Sequence, residues 1–216
     1  MSAKRIATLQ YITFQPTPQT AYYQQIELLL QSGLRWIQYR DKLNDNAIKK
    51  QLAKQLQALC KAYQATFIIN DDVDLALQLD ADGVHVGQTD LSVPAARKIL
   101  GDDKIIGTSS NHLSHIKKAI ADGADYSGIG PLHYTATKSQ LNPIIGYERL
   151  QQLFNTLKVE QIEFPLVVIG GIQFNDVPLL LEIGAKGIAL SAALAKADSG
   201  ATATTDFLKA LPNAYF

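Results

Sequence analysis

Cysteine occurs once in the 216 residues, at Cys60, so no internal disulfide can brace this chain. Cys60 falls in a helix-spaced stripe with Leu56, Leu59 and Tyr63, where it is expected to be a small buried hydrophobe. No apolar run reaches the length of a membrane span, and the first residues carry no apolar signal core, which predicts a soluble cytoplasmic protein. Neither sign of charge is in excess. Lys and Arg number 20, Asp and Glu 20, and the formal net charge is zero. Without a basic tail or charge block, a general nucleic-acid surface is excluded. Histidine is sparse and scattered (His85, His112, His115, His133), so no zinc-type cluster is expected.

What remains has the composition of an ordinary globular protein, 47% hydrophobic and 19% charged. No internal boundary shows, which predicts one domain over residues 1–216. Short runs with β character recur at Ala7 to Ile12, Trp36 to Tyr39, Thr66 to Ile69, Gly83 to Val86, Ile105 to Gly107, Tyr126 to Ile129, Leu166 to Ile169 and Gly187 to Leu190. Between them lie helix-spaced stripes such as Tyr22, Ile26, Leu29 and Leu30, or Ile48, Leu52, Leu56 and Leu59, and a shorter one at Leu75, Leu77 and Leu79. Strands that are apolar throughout, such as Leu166-Val167-Val168-Ile169, are buried on both faces, as in a parallel sheet covered by helices. Eight such units fit a closed (β/α)8 TIM barrel, with a doubly wound open sheet as the runner-up. Three echoes, Asp80 to Val84, Gly123 to Ser127 and Gly184 to Ile188, each close a helix and open a strand. Residues 131–143 form the one long irregular stretch, of a length that suits a functional loop.

Polar residues gather just past the strands, where a barrel places its active face. The segment Gln38-Tyr-Arg-Asp-Lys42 puts Gln38, Arg40 and Lys42 on one side of a strand end and Asp41 on the other. That composition suits a phosphorylated ligand, although a merely solvated strand end has the same look. Asp71 and Asp90 are hard oxygen ligands suited to Mg²⁺, which takes one or two carboxylates plus phosphate oxygens and water. Each also has a simpler reading nearby: Asp72 as a cap on the third helix, with Asp71 the ligand beside it, and Asp90 as a cap on the fourth. His85, inside a strand, is expected to be a satisfied interior residue. Gly170-Gly171 and a helix start near Ser191-Ala192 suit a second, backbone-built phosphate site. Two anion sites imply a diphosphate ligand or two phosphorylated ones.

In order along the chain, Gln38-Tyr-Arg-Asp-Lys42, Ile69-Asn-Asp-Asp-Val-Asp-Leu-Ala76, Ala81-Asp-Gly-Val-His-Val-Gly-Gln-Thr-Asp-Leu91, Ile106-Gly-Thr-Ser109, Ala124-Asp-Tyr-Ser-Gly-Ile-Gly-Pro131, Thr135-Ala-Thr-Lys138 and Ile169-Gly-Gly-Ile172 resemble the thiamine phosphate synthase (thiamine-phosphate pyrophosphorylase) family. The resemblance implies a Mg²⁺-dependent transferase. It would join hydroxymethylpyrimidine diphosphate to thiazole phosphate through a pyrimidine carbocation, giving thiamine phosphate and pyrophosphate. By position it implies that Gln38, Arg40, Lys42, Asn70 and Lys138 bind the pyrimidine diphosphate, and that Asp71 and Asp90 hold Mg²⁺. Ser109 would contact the departing diphosphate, with Arg40, Lys42 and Lys138 as its catalytic partners. Thr135, Thr137, Gly171, Leu190 and Ser191 would bind the thiazole phosphate. Residues 131–143 would act as a lid, and a homo-oligomer is left open. The sequence departs from the family at His133-Tyr134, which stand in place of an aromatic-Pro pair, and at Tyr39 and Thr108. A thiazole tautomerase-like barrel or a non-catalytic thiamine phosphate-binding module are the competing readings, and the retained charged residues weigh against both.

Overall fold

In a computed structural model that describes residues 6–13, 19–135, 143–195 and 197–212, eight parallel strands close into one barrel. The strands are β1 (Leu9–Ile12), β2 (Trp36–Tyr39), β3 (Thr66–Asn70), β4 (Gly83–Val86), β5 (Ile105–Ser110), β6 (Tyr126–Ile129), β7 (Leu166–Ile169) and β8 (Gly187–Leu190). They pair in chain order, and β1 pairs β8 to complete the ring. A helix follows each strand: α1 (Gln19–Gln31), α2 (Asn46–Ala62), α3 (Val73–Gln78), α4 (Val93–Leu100), α5 (Leu113–Ala121), α6 (Gly146–Val159), α7 (Val177–Glu182) and α8 (Ala197–Ala210). The barrel is the expected one, and it displaces the open-sheet alternative. No helix among the described residues is long and apolar enough to cross a membrane.

Strand alternation sorts the core into two layers. Outward residues such as Ile37, Phe67, Val84, Ile106 and Val168 meet the helices in a large shell that includes Ile26, Leu29, Leu56 and Cys60. Inward residues Ile12, Trp36, Ile68, Ile105, Tyr126 and Val167 plug the barrel. The plug is apolar at its base and becomes polar toward the strand ends, where Gln10, Gln38 and His85 are buried.

The three sequence echoes have a mechanical explanation. Asp82 and Asp125 each accept the amide of the second residue of the neighbouring strand, from Phe67 and Ile106 respectively, both at 2.7 Å. Their own amides return bonds to the same residues. Helix ends just before the echoes turn left-handed at Gly123 and Gly184, and at Asp80, where φ is +50° without a glycine.

Some boundaries differ from expectation. β1 begins at Leu9 rather than Ala7, and β5 runs on to Ser110 because Thr108 to Ser110 pair with Ser127 to Ile129. Leu77 and Ile48 are exposed; Leu77 stands two residues from buried Leu75 and so on the opposite face of α3, and Ile48 lies in the first turn of α2.

Candidate active site

The C-terminal strand ends surround one cleft of about 950 Å³. Every candidate residue within the described regions lines it: Gln38, Arg40, Lys42, Asn70, Asp71 and Asp90 on one side, Ser109, Thr135, Gly171, Leu190 and Ser191 around the rest. Thr137 and Lys138, with the middle of the expected lid, lie outside the described residues.

The β2 end is built as its alternation predicts. Gln38 and Arg40 face the cleft while Tyr39 faces the shell. Thr13 fastens the Arg40 backbone from both sides, its Oγ1 accepting the Arg40 amide at 2.9 Å and donating to the Arg40 carbonyl at 3.2 Å. Asp41 points away and is buried. It accepts the Tyr39 hydroxyl at 2.9 Å, the amides of Leu43 and Asn44 at 3.0 and 3.1 Å, and Asn44 Nδ2 at 2.8 Å. One inward carboxylate thus folds the loop that presents Lys42.

The carboxylates divide as follows. Asp72 is the N-cap of α3, accepting the Leu75 amide at 2.9 Å. Asp71 is left to face the cleft, in a left-handed conformation (φ +65°) that its amide's bond to the His85 carbonyl at 2.8 Å holds in place. Aspartate adopts this conformation more readily than most non-glycine residues. Ser92, not Asp90, caps α4. Asp90 instead accepts the Gly87 amide at 2.8 Å. Partial burial and the adjoining Asp71 carboxylate push the Asp90 carboxyl above its ordinary range, against the pull of the Gly87 amide. Lys42 Nζ sits 2.5 Å from Asp71 Oδ2.

Two adjoining carboxylates call for a cation. Among the described residues no group of three or more His, Cys, Asp or Glu side chains converges as a metal centre. The protein therefore offers a hard oxygen pair with open positions, which fits Mg²⁺ completed by water and phosphate oxygens and does not fit zinc.

At the opposite rim, Gly170 (φ +96°) and Gly171 (φ +66°) form a turn that only glycine adopts freely. A Cβ on Gly170 would lie 2.4 Å from Pro131 Cβ, and one on Gly171 would lie 2.8 Å from both His133 Cβ and the Tyr134 carbonyl oxygen. The turn thus also seats the base of the 131–143 loop, which Leu132 and His133 fasten by donating to the Ile169 and Gly170 carbonyls, both at 2.9 Å. Asp176 ties the base of that loop to the start of α6. His133 Nε2 lies 3.1 Å from it, and the Tyr147 hydroxyl donates to it. His133 thereby supplies an anchor where the resembling family has an aromatic-Pro pair.

One expectation fails here. No helix starts at Ser191, since α8 begins at Ala197. Residues 191–195 form a turn in which the Leu194 and Ala195 amides bond back to the Ser191 carbonyl. Ser191, Ala192 and Ala193 of that turn line the cleft. Leu190 lines the cleft too, yet its side chain packs in the outer shell, which leaves its backbone for a ligand.

Two participants, Gln10 and Tyr126, escaped the sequence reading. Gln10 lines the cleft, and Tyr126 lies behind it, bonded to Gln10 and His85. Gln88, just past β4, also lines it and donates through Nε2 to the Ser109 carbonyl at 2.5 Å. The available signal was a glutamine in the middle of the first apolar strand. His85 is satisfied, as expected, by Tyr126 and Ser109.

Known proteins of one family are similar to this chain over most of its length. The sequence model of a family described as thiamine monophosphate synthase matches residues 9–194. A thiamine-phosphate synthase of Bacteroides thetaiotaomicron is 38% identical over 203 residues, covering 94% of this chain and 97% of that one. Another, of Phocaeicola vulgatus, is 42% identical over 189 residues, covering 88% and 90%. Among solved structures, thiamine phosphate pyrophosphorylase from Pyrococcus furiosus superposes with a TM-score of 0.80 at 31% identity, covering 96% of each chain.

Proposed function

The chain belongs to the thiamine monophosphate synthase family, and from that premise we propose that it joins 4-amino-2-methyl-5-hydroxymethylpyrimidine diphosphate to 4-methyl-5-(2-phosphoethyl)thiazole. The products are thiamine phosphate and pyrophosphate. The observation that carries this reading is the cleft's polarity, with Arg40, Lys42, Asp71 and Asp90 at one end and a glycine turn and a second backbone turn at the other. Such a cleft suits one ligand with a metal-bound diphosphate and one with a simple phosphate.

The carbon–oxygen bond between the pyrimidine methylene and the diphosphate breaks first, and its electron pair leaves with the diphosphate. The thiazole nitrogen lone pair then forms the new carbon–nitrogen bond. No protein nucleophile takes part. Asp71 and Asp90 would hold Mg²⁺, whose chemistry is to neutralise the charge that gathers on the leaving group. Arg40 and Lys42 share that charge, with Lys138 expected to join them, and the Ser109 hydroxyl donates to a departing oxygen. Gln38 and Asn70 orient the pyrimidine. Gly171, Ser191 and the Leu190 backbone seat the thiazole phosphate with Thr135 and Thr137, so that the ring nitrogen faces the methylene.

Incubating the protein with both heterocycles and Mg²⁺ tests this. Equal amounts of thiamine phosphate and pyrophosphate are expected. Turnover of the thiazole phosphate alone would point to a tautomerase, and tight product binding without turnover to a binding module.

A further inference from the structure

We infer that Tyr126 is a positioning residue at the centre of a hydrogen-bond chain, Gln38–Gln10–Tyr126–His85–Ser109, which couples the polarity of pyrimidine recognition to that of leaving-group recognition. This rests on the proposed function for what lies at each end. The links cross the barrel interior from β2 to β1, β6, β4 and β5. Gln38 Nε2 lies 3.4 Å from Gln10 Oε1, and Gln10 Nε2 lies 3.5 Å from the Tyr126 hydroxyl. The Tyr126 hydroxyl lies 2.9 Å from His85 Nδ1, and His85 Nε2 lies 3.0 Å from Ser109 Oγ. The amide links are long and the imidazole links short.

Packing fixes Tyr126. Its ring is fully buried, lies edge-on to Trp36 with centroids 5.0 Å apart, and covers Gly107 so closely that a Cβ there would fall 2.1 Å from a ring atom. Burial holds the Tyr126 phenol well above its ordinary range, so it keeps the proton it donates.

Within the chain, each inner member uses one donor and one acceptor: an amide N–H and carbonyl, a hydroxyl, a neutral imidazole. With the single Tyr126 hydrogen spent on a neighbour within the chain, the bonds run in one sense or the other together. In the sense that starts from Gln38 Nε2, Tyr126 accepts from Gln10 and donates to His85 Nδ1. His85 then carries its proton on Nε2 and donates to Ser109 Oγ. The Ser109 hydroxyl hydrogen is left for the cleft, where a phosphate oxygen can accept it. At the other end Gln38 has spent an N–H inward, and its carbonyl remains for the exocyclic amine of an aminopyrimidine. A pyrimidine with an oxo group in place of that amine would need a donor from Gln38. Supplying it by reversing the chain would turn the Ser109 hydrogen away from the diphosphate.

The test uses the full-length protein, with wild-type pyrophosphate release measured first, so that failure of the functional reading is seen separately. Tyr126→Phe keeps the ring over Gly107 and deletes only the hydroxyl. Histidine side-chain ¹⁵N spectra, with His85 assigned by its loss in His85→Gln, should show the neutral Nε2–H form in the wild type and a tautomer mixture in Tyr126→Phe. In the wild-type background, Gln38→Leu and Ser109→Ala should be non-additive in kcat/KM, and in the Tyr126→Phe background additive. Tyr126→Phe should also lose about tenfold in its preference for the amino over the oxo pyrimidine diphosphate. A wild-type His85 found as Nδ1–H or doubly protonated overturns the inference. So does additivity of Gln38→Leu and Ser109→Ala in the wild type, a result that stands even if Tyr126→Phe fails to fold.

Discussion

Lys42 Nζ lies 2.5 Å from Asp71 Oδ2, so the ammonium of the β2 loop occupies the carboxylate assigned to the metal. Lys42 thereby shares the charge of the Asp71–Asp90 pair. Under the proposed function it would be close at hand for the diphosphate if a divalent cation took its place.

This predicts opposite effects from one substitution. Lys42→Ala should bind Mg²⁺ alone several-fold more tightly, because a competing cation is gone, while its KM for the pyrimidine diphosphate rises. Calorimetric titration with Mg²⁺ and initial rates check the two halves. Weaker Mg²⁺ binding in the variant would separate Lys42 from the metal site.

Asp41 carries the loop that presents Lys42. Its carboxylate accepts four hydrogen bonds while buried. Asp41→Ala is expected to cost about 3 kcal/mol, since charged hydrogen bonds are lost and buried donors are left unpaired. Urea unfolding midpoints measure this, and Tyr39→Phe, which removes one of the four donors, should cost clearly less.

The glycine turn makes a steric prediction. Gly171→Ala would add a Cβ 2.8 Å from His133 Cβ and the Tyr134 carbonyl oxygen, at a positive φ. The variant should raise KM for the thiazole phosphate more than KM for the pyrimidine diphosphate. An equal rise for both would place the turn outside the phosphate site.

Cys60 is buried, and burial, followed by the Asp82 charge, pushes its thiol well above the ordinary range. Because the thiolate is the reactive form, native protein should resist thiol reagents at neutral pH and label fully once unfolded. Rapid labelling of the native protein would contradict the packing of α2.

The fold was legible because both faces of each strand are covered, which writes continuous apolar runs such as Leu166 to Ile169 into the chain. Gln38, Arg40 and Lys42 were legible because a strand alternates. Asp72 was legible as a cap because it stands directly before the apolar residues of α3, and its bond from the Leu75 amide bears that out. Ser191 misled because small residues open turns as readily as helices. The Tyr126–Gly107 contact and the polar chain it supports were beyond reach. They depend on residues from five strands meeting across the barrel, and no local pattern marks the partner of a buried phenol.

The most direct measurement follows pyrophosphate release from the two phosphorylated heterocycles as the divalent cation is removed and restored. The rate should vanish on exhaustive chelation and return with added Mg²⁺, and Asp71→Asn with Asp90→Asn should abolish that return. A full rate without any divalent cation would contradict the assignment of the two carboxylates, and with it the reading of the cleft as a metal-diphosphate site.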